Sequence, residues 1–195
     1  MHGALYTIGA ALLGGAALWH ATDGLQAITA EGARRVAIAQ SPEPVSPIVL
    51  ETMTGAHRDL VDGRPTLVEF IYTTCPTICQ ASGGDFAELR DHLKAANLQV
   101  PMISISFDPI KDGPQALQNY ADIHTATGTP WTVARPRPED LQTLLDTFRV
   151  TVIPDTWGGY EHNVAVLLID RGGRFAGIFD TREFADIASA VESAL

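Results

Sequence analysis

Two cysteines are all this chain has, and they stand four positions apart in Thr73-Thr74-Cys75-Pro76-Thr77-Ile78-Cys79. A disulfide between them would close a very small loop and would constrain the unfolded chain little. Stapling is therefore a poor reason for the pair, and redox or metal chemistry is a better one. Thiolates are soft ligands that favour Cu(I), zinc or iron–sulfur clusters. Two sulfurs are too few for a closed structural zinc site, which takes four ligands. A further ligand has to come from elsewhere, and a histidine is the natural choice.

The elements around the pair suit either chemistry. Thr66 to Tyr72 (TLVEFIY) reads as a buried strand, and Pro76 to Asn97 as a helix with Ile78, Phe86, Leu89 and Leu93 on one face. Proline suits the first helical position, which puts Cys75 at the N-cap. The unpaired N–H groups and positive partial charge of a first turn stabilise a thiolate and lower its pKa. Cys79 falls on the same helical face, so both sulfurs can point at one site. Thioredoxin-type redox motifs have two residues between the cysteines and this chain has three. That spacing still allows a disulfide, and it also suits two sulfurs converging on one ion.

Of the six histidines, His2 and His20 lie in the apolar N-terminal stretch, and His57, His92 and His124 read as solvated or structural. His162 differs. It follows the loop Asp155 to Glu161 and immediately precedes a strand, Val164 to Asp170. In a thioredoxin-like fold that loop lies beside the cysteine helix, which makes His162 the candidate third ligand.

The other predicted elements place these residues in one domain. Ile48–Met53 and His57–Val61 form a hairpin about Thr54-Gly55. Val100 to Phe107 is a strand, Pro114 to Thr125 a helix, Trp131 to Ala134 a short strand and Pro138 to Phe148 a helix. Arg171-Gly172-Gly173 turns the strand at Val164 to Asp170 into a partner at Arg174 to Phe179, and Glu183 to Ala194 is a closing helix. The alternation predicts an α/β fold with helices on both faces of the sheet. Sites in such sheets gather beyond the C-terminal ends of strands, where the cysteines fall.

Ahead of the domain, Gly3 to Thr22 carries no Asp, Glu, Lys or Arg. As a helix, about 20 residues span roughly 30 Å, the thickness of a bilayer core. Residues 1–22 are thus expected to be a membrane-spanning anchor or a signal segment. The bulky Trp19, two places before Ala21, argues against a clean cleavage site there. Residues 23–47 are expected to be a linker with a short helix and a semi-rigid Pro-rich spacer, Ser41 to Pro47, and residues 48–195 the folded domain. Arg34 and Arg35 after the apolar stretch oppose export of the C-terminal part by the positive-inside rule. The thiol chemistry argues for the oxidising, exported side. A net charge of −10 excludes nucleic-acid binding through phosphate neutralisation.

The runs "FIYTTCPTIC", "SISFDPIKDGPQALQNYA" and "EHNVAVLLIDRGGRFAG" together resemble the SCO/SenC family. These are membrane-anchored, thioredoxin-like copper chaperones for cytochrome c oxidase. The resemblance runs from about Ile48 to the C-terminus. It implies that Cys75, Cys79 and His162 bind copper as Cu(I) or Cu(II), and that Asp108, in the "DP" turn, supports the site. It implies delivery to the CuA centre of cytochrome c oxidase, or to another copper protein, from the periplasmic or mitochondrial intermembrane-space side. Gln80 where the family often has Pro, and Glu161-His162-Asn163 around the histidine, are departures that bear on which partner is served. The ligand set implies a three-coordinate, exposed site. The alternative is a thiol–disulfide oxidoreductase in which Cys75 and Cys79 are the catalytic pair and His162 only a neighbour. A peroxidase on the same fold finds no support beyond the fold itself.

Overall fold

The computed structural model describes the whole chain except Met1, Gln26, Pro76, Thr77 and Trp157. The side chains of residues 2–5, 7, 9–11 and 78–80 also lie outside the description. The chain divides into two compact units, Met1–Ser41 and Pro42–Leu195.

The first unit is helical. Helix α1 (His2–Ala21) forms where the uncharged stretch predicts it, and its described apolar side chains, from Tyr6 to Trp19, are exposed. Half of its residues are Ala or Gly. Among the described residues no helix is long and apolar enough to cross a membrane. Helix α2 (Ala30–Gln40) begins at Thr29, whose hydroxyl accepts the Gly32 N–H at 2.9 Å, a regular N-cap. Arg34 and Arg35 both reach back to Glu31, at 2.9 and 3.2 Å.

The second unit is an α/β domain. Its strands are β1 (Glu43–Pro44), β2 (Val49–Thr52), β3 (His57–Asp59), β4 (Thr66–Ile71), β5 (Met102–Ser106), β6 (Trp131–Arg135), β7 (Val152–Pro154), β8 (Tyr160–His162), β9 (Val166–Ile169) and β10 (Arg174–Phe179). Its helices are α3 (Ile78–Ala95), α4 (Pro114–His124), α5 (Leu141–Phe148, after a single 3-10 turn) and α6 (Phe184–Ala194). Eight strands form one mixed sheet in the order β1-β10-β9-β4-β5-β6-β2-β3. Strands β4, β5 and β6 run parallel, and β9 joins β4 antiparallel.

Strand β4 is central and every residue in it is buried, as a near-continuous apolar run requires. Leu67 and Ile71 face a core shared with Phe86, Leu89 and Leu93 of α3, Tyr120 of α4 and Ile187 of α6. On the opposite face Phe70 meets Phe148 of α5, with ring centroids 5.6 Å apart, and Phe148 meets Phe175 at 5.1 Å. Helices therefore cover both faces, as the alternation predicts.

Two stretches differ from expectation. The Pro-rich stretch is extended, yet Glu43 and Pro44 pair with Phe175 and Arg174 as an edge strand, and Val45 and Ile48 are buried. The loop before the β9 strand is partly regular. It forms a two-stranded ribbon, β7 with β8, in which His162 pairs with Val152. Three-residue strands are too short to show a period of two, and Pro154 and Gly158-Gly159 read locally as loop.

Candidate metal and thiol site

Cys75 lies where β4 hands over to α3. Its N–H donates to the Tyr72 carbonyl at 3.3 Å, and only 3% of its surface is exposed. An exposed sulfur is thus not what the fold provides at this position. Helix α3 contains Cys79 in its first turn, but the Cys79 side chain lies outside the described residues. So do Pro76 and Thr77, on which the expected N-cap at Cys75 turns.

The segment before Cys75 is tied down from a distance. Asp112, 1% exposed, accepts the Thr73 N–H at 2.9 Å through Oδ2 and the Thr73 hydroxyl at 2.6 Å through Oδ1. Its Oδ2 also accepts from Ser106 Oγ at 2.6 Å. One carboxylate thereby joins the end of β5, the start of α4 and the approach to Cys75. Sequence reasoning places Asp112 only in a turn, because a bond spanning 39 residues leaves no local pattern.

His162 stands at the end of β8 against an aromatic wall. Its ring centroid is 4.9 Å from that of Phe107 and 6.4 Å from that of Tyr72. Tyr160 completes the wall, 5.2 Å from Tyr72 and 5.5 Å from Phe107. Tyr72 also accepts the Tyr160 N–H on its hydroxyl at 3.3 Å. Burial holds the His162 imidazole below its ordinary pKa and so in the neutral form, the form that ligates metals. Asn163 anchors the ribbon by accepting the Thr151 N–H at 2.8 Å.

Tyr72 is thus the joint of the site. Its carbonyl holds Cys75 and its ring faces His162. The fold brings both predicted residues to Tyr72, Cys75 at its backbone carbonyl and His162 at its ring. Asp108 is buried one shell further out. It accepts from Tyr160 Oη at 3.2 Å and from Lys111 Nζ at 3.0 Å. It thereby holds the Tyr160 hydroxyl of the wall. His57 and His92 lie away from this cluster, and His124 is buried under α3.

The match with known proteins falls on this domain. Residues 50–195 fit the family model described as SCO1/SenC. The chain belongs to the SCO1/SenC family. A SCO1 protein homolog of Bacillus subtilis (strain 168) is 28% identical over 159 residues, covering 77% of this chain and 82% of that protein. Among solved structures, BsSco, a member of the Sco family of cytochrome c oxidase assembly proteins in which a disulfide switch has been identified, superposes with a TM-score of 0.70. It is 26% identical, with 79% of this chain and 94% of that one covered. Copper-bound ScoI of Bradyrhizobium japonicum superposes with a TM-score of 0.62 at 28% identity, covering 78% of this chain and 99% of that one. The sheet and the helices around it are thereby those of a thioredoxin-like Sco protein.

Proposed function

We propose that this SCO1/SenC protein is a copper-binding chaperone. In this reading Cys75, Cys79 and His162 hold the ion as cargo and pass it to the copper-accepting subunit of cytochrome c oxidase or to a similar copper protein. The observation that carries it is that Cys75 and His162 both meet Tyr72, one at its carbonyl and the other at its ring, just past the end of a strand from which the second cysteine's helix departs. The donor chemistry fits. Two thiolates suit Cu(I), and a neutral imidazole can complete a three-coordinate site that releases its ion by ligand exchange. The likeness to a Sco protein crystallised with copper supports the same metal. The aromatic wall excludes water from one side of the site and holds the His162 ring in place.

The second reading, a thiol–disulfide oxidoreductase, draws on the disulfide switch identified in BsSco. Closing a Cys75–Cys79 disulfide would send two electrons and two protons to a disulfide of the partner and leave no thiolate for copper. The two readings are compatible, since reduction and loading then alternate at one site.

The N-terminal segment is proposed to anchor the domain on the periplasmic or intermembrane-space side, with residues 23–47 as the connection to residues 48–195. Support comes from α1, which is uncharged from Gly3 onward and whose described apolar side chains are exposed.

Cu(I) titration and dithiol exchange, measured on the wild type and on His162→Ala, test the chaperone. The expected result is a large loss of copper affinity, about a hundredfold, with exchange little changed. Unchanged copper affinity beside a high exchange rate would leave the oxidoreductase alone.

A further inference from the structure

A charged residue in the middle of a buried strand is the least expected feature of the domain. Glu69 sits in β4, six residues before Cys75, and is 3% exposed. It shares a face with Leu67 and Ile71, the face that α3 covers. No described cation pairs with it. Its Oε1 accepts from Ser104 Oγ at 2.6 Å, and Ser104 Oγ in turn accepts the Trp131 Nε1–H at 2.8 Å. Tyr120, on α4, also hydrogen-bonds to the carboxyl.

This polar cluster continues up to the cysteine helix. A Cβ on Gly83 would lie 2.4 Å from Tyr120 Oη and 2.7 Å from His124 Nε2, so only glycine lets the two polar groups touch the backbone of α3 there. Gly83 is one helical turn after Cys79 and on the same face. His124 Nε2 is buried and has no hydrogen-bond partner among the described residues. A chain of polar groups thus leads from Glu69 through Tyr120 to the turn of α3 that follows Cys79.

The geometry points to Glu69 as a positioning residue for the cysteine chemistry: the charge on its carboxyl, carried towards α3 through Tyr120, sets how the dithiol–disulfide balance of Cys75 and Cys79 depends on pH. This rests on the dithiol reading given above. A neutral Glu69 leaves the positive end of α3 free to favour a thiolate, whereas an ionised Glu69 beneath α3 opposes a second negative charge at that end. By reciprocity, the redox state of the pair shifts the protonation of Glu69. Burial keeps the carboxyl neutral up to about pH 8, opposed by the hydrogen bonds from Ser104 and Tyr120 and reinforced by Asp85 of α3. The other groups facing the cluster leave this balance intact. Asp85 is engaged by Thr181 Oγ1 and Arg182 at 2.7 and 2.6 Å, and burial holds His124 neutral.

The test is the midpoint potential of the cysteine pair between pH 5 and 9, in the wild type, Glu69→Gln and Tyr120→Phe. Circular dichroism and Cu(I) binding at pH 6 confirm the fold and the site of each variant. The wild type should show a break in slope near pH 8 that Glu69→Gln lacks. Tyr120→Phe, which removes both the link to α3 and a bond favouring the ionised carboxyl, should weaken that break and move it to higher pH. An infrared carboxylic-acid band that shifts on oxidation of the wild type, and is absent in Glu69→Gln, gives a second readout. Parallel curves for all three proteins, with copper binding intact, would overturn the role of Glu69 alone. Should the wild type neither close the disulfide nor bind copper, the dithiol reading falls and this inference with it.

Discussion

Asp112 grips Thr73 at two points, the backbone N–H and the hydroxyl, two residues before Cys75. The approach to the cysteine is therefore set by a residue on the far side of the next strand. Removing the carboxylate in Asp112→Ala leaves three donors unsatisfied, the buried Ser106 hydroxyl and the half-buried Thr73 N–H and hydroxyl, and should cost roughly 3 kcal/mol. Thr73→Val removes one of these bonds and should cost about 1 kcal/mol. Urea unfolding of both variants and their double mutant should show strong non-additivity, since all the bonds run through one carboxylate. Additive losses would mean that the two side chains do not act as a unit.

The ribbon that carries His162 depends on a close approach at Gly159. A Cβ there would lie 2.8 Å from Asp155 Oδ2 and 3.0 Å from Tyr72 Oη. Gly159→Ala should push the ribbon off Tyr72, with a loss of about 1–3 kcal/mol from overpacking. Copper affinity should fall alongside the melting temperature. Gly158→Ala is a poorer control, because Gly158 has a positive φ of 86° and would be strained for that separate reason. Gly55→Ala, remote from the ribbon and likewise at positive φ, should lower stability and spare copper binding.

Stability should fall as pH rises through neutrality. The Glu69 carboxyl ordinarily ionises near 4.5 and in the fold keeps its proton to about 8. Between those values the folded state binds one more proton than the unfolded state. Each pH unit in that window thus costs about 1.4 kcal/mol, and the loss levels off above it. Glu69→Gln should flatten this contribution. Chemical denaturation at pH 5, 6, 7 and 8 measures it, and equal slopes in the two proteins would show that Glu69 ionises normally.

For the N-terminal helix the measurement is alkaline carbonate extraction of cells expressing the full chain. Retention in the membrane fraction is expected, and replacing Leu12 and Leu13 with Asp should release the protein. A wild type already found in the soluble fraction would remove α1 as an anchor.

Much of the domain was readable in the residues, because its central strands are apolar runs bounded by turn signals. The TLVEFI run, the helix opening at Pro114 and the turn at Gly172-Gly173 all stand where local chemistry puts them. What escaped was long-range or hidden by context. The Pro-rich stretch reads as a spacer, and only the pairing of Glu43 and Pro44 and the burial of Val45 mark it as part of the sheet. A lone Glu in an apolar strand was a visible signal, but nothing local shows that Ser104 and Tyr120 gather around it. Gly83 reads as a weakness in α3, whereas it is the contact point for that cluster. Of the site itself, Cys75 and His162 could be paired by their places in the fold. Tyr72, which joins them, looks in the sequence like one more strand residue.

The edges of the large sheet carry a further consequence. At one side β1 is two residues long and contains Pro44, which has no N–H to offer another strand. At the other, β3 is three residues long and places charged Arg58 and Asp59 at the rim. Neither margin can template the addition of a foreign strand, and a net charge of −10 keeps copies apart. Such a domain can be crowded on a surface at high local density without polymerising through its sheet.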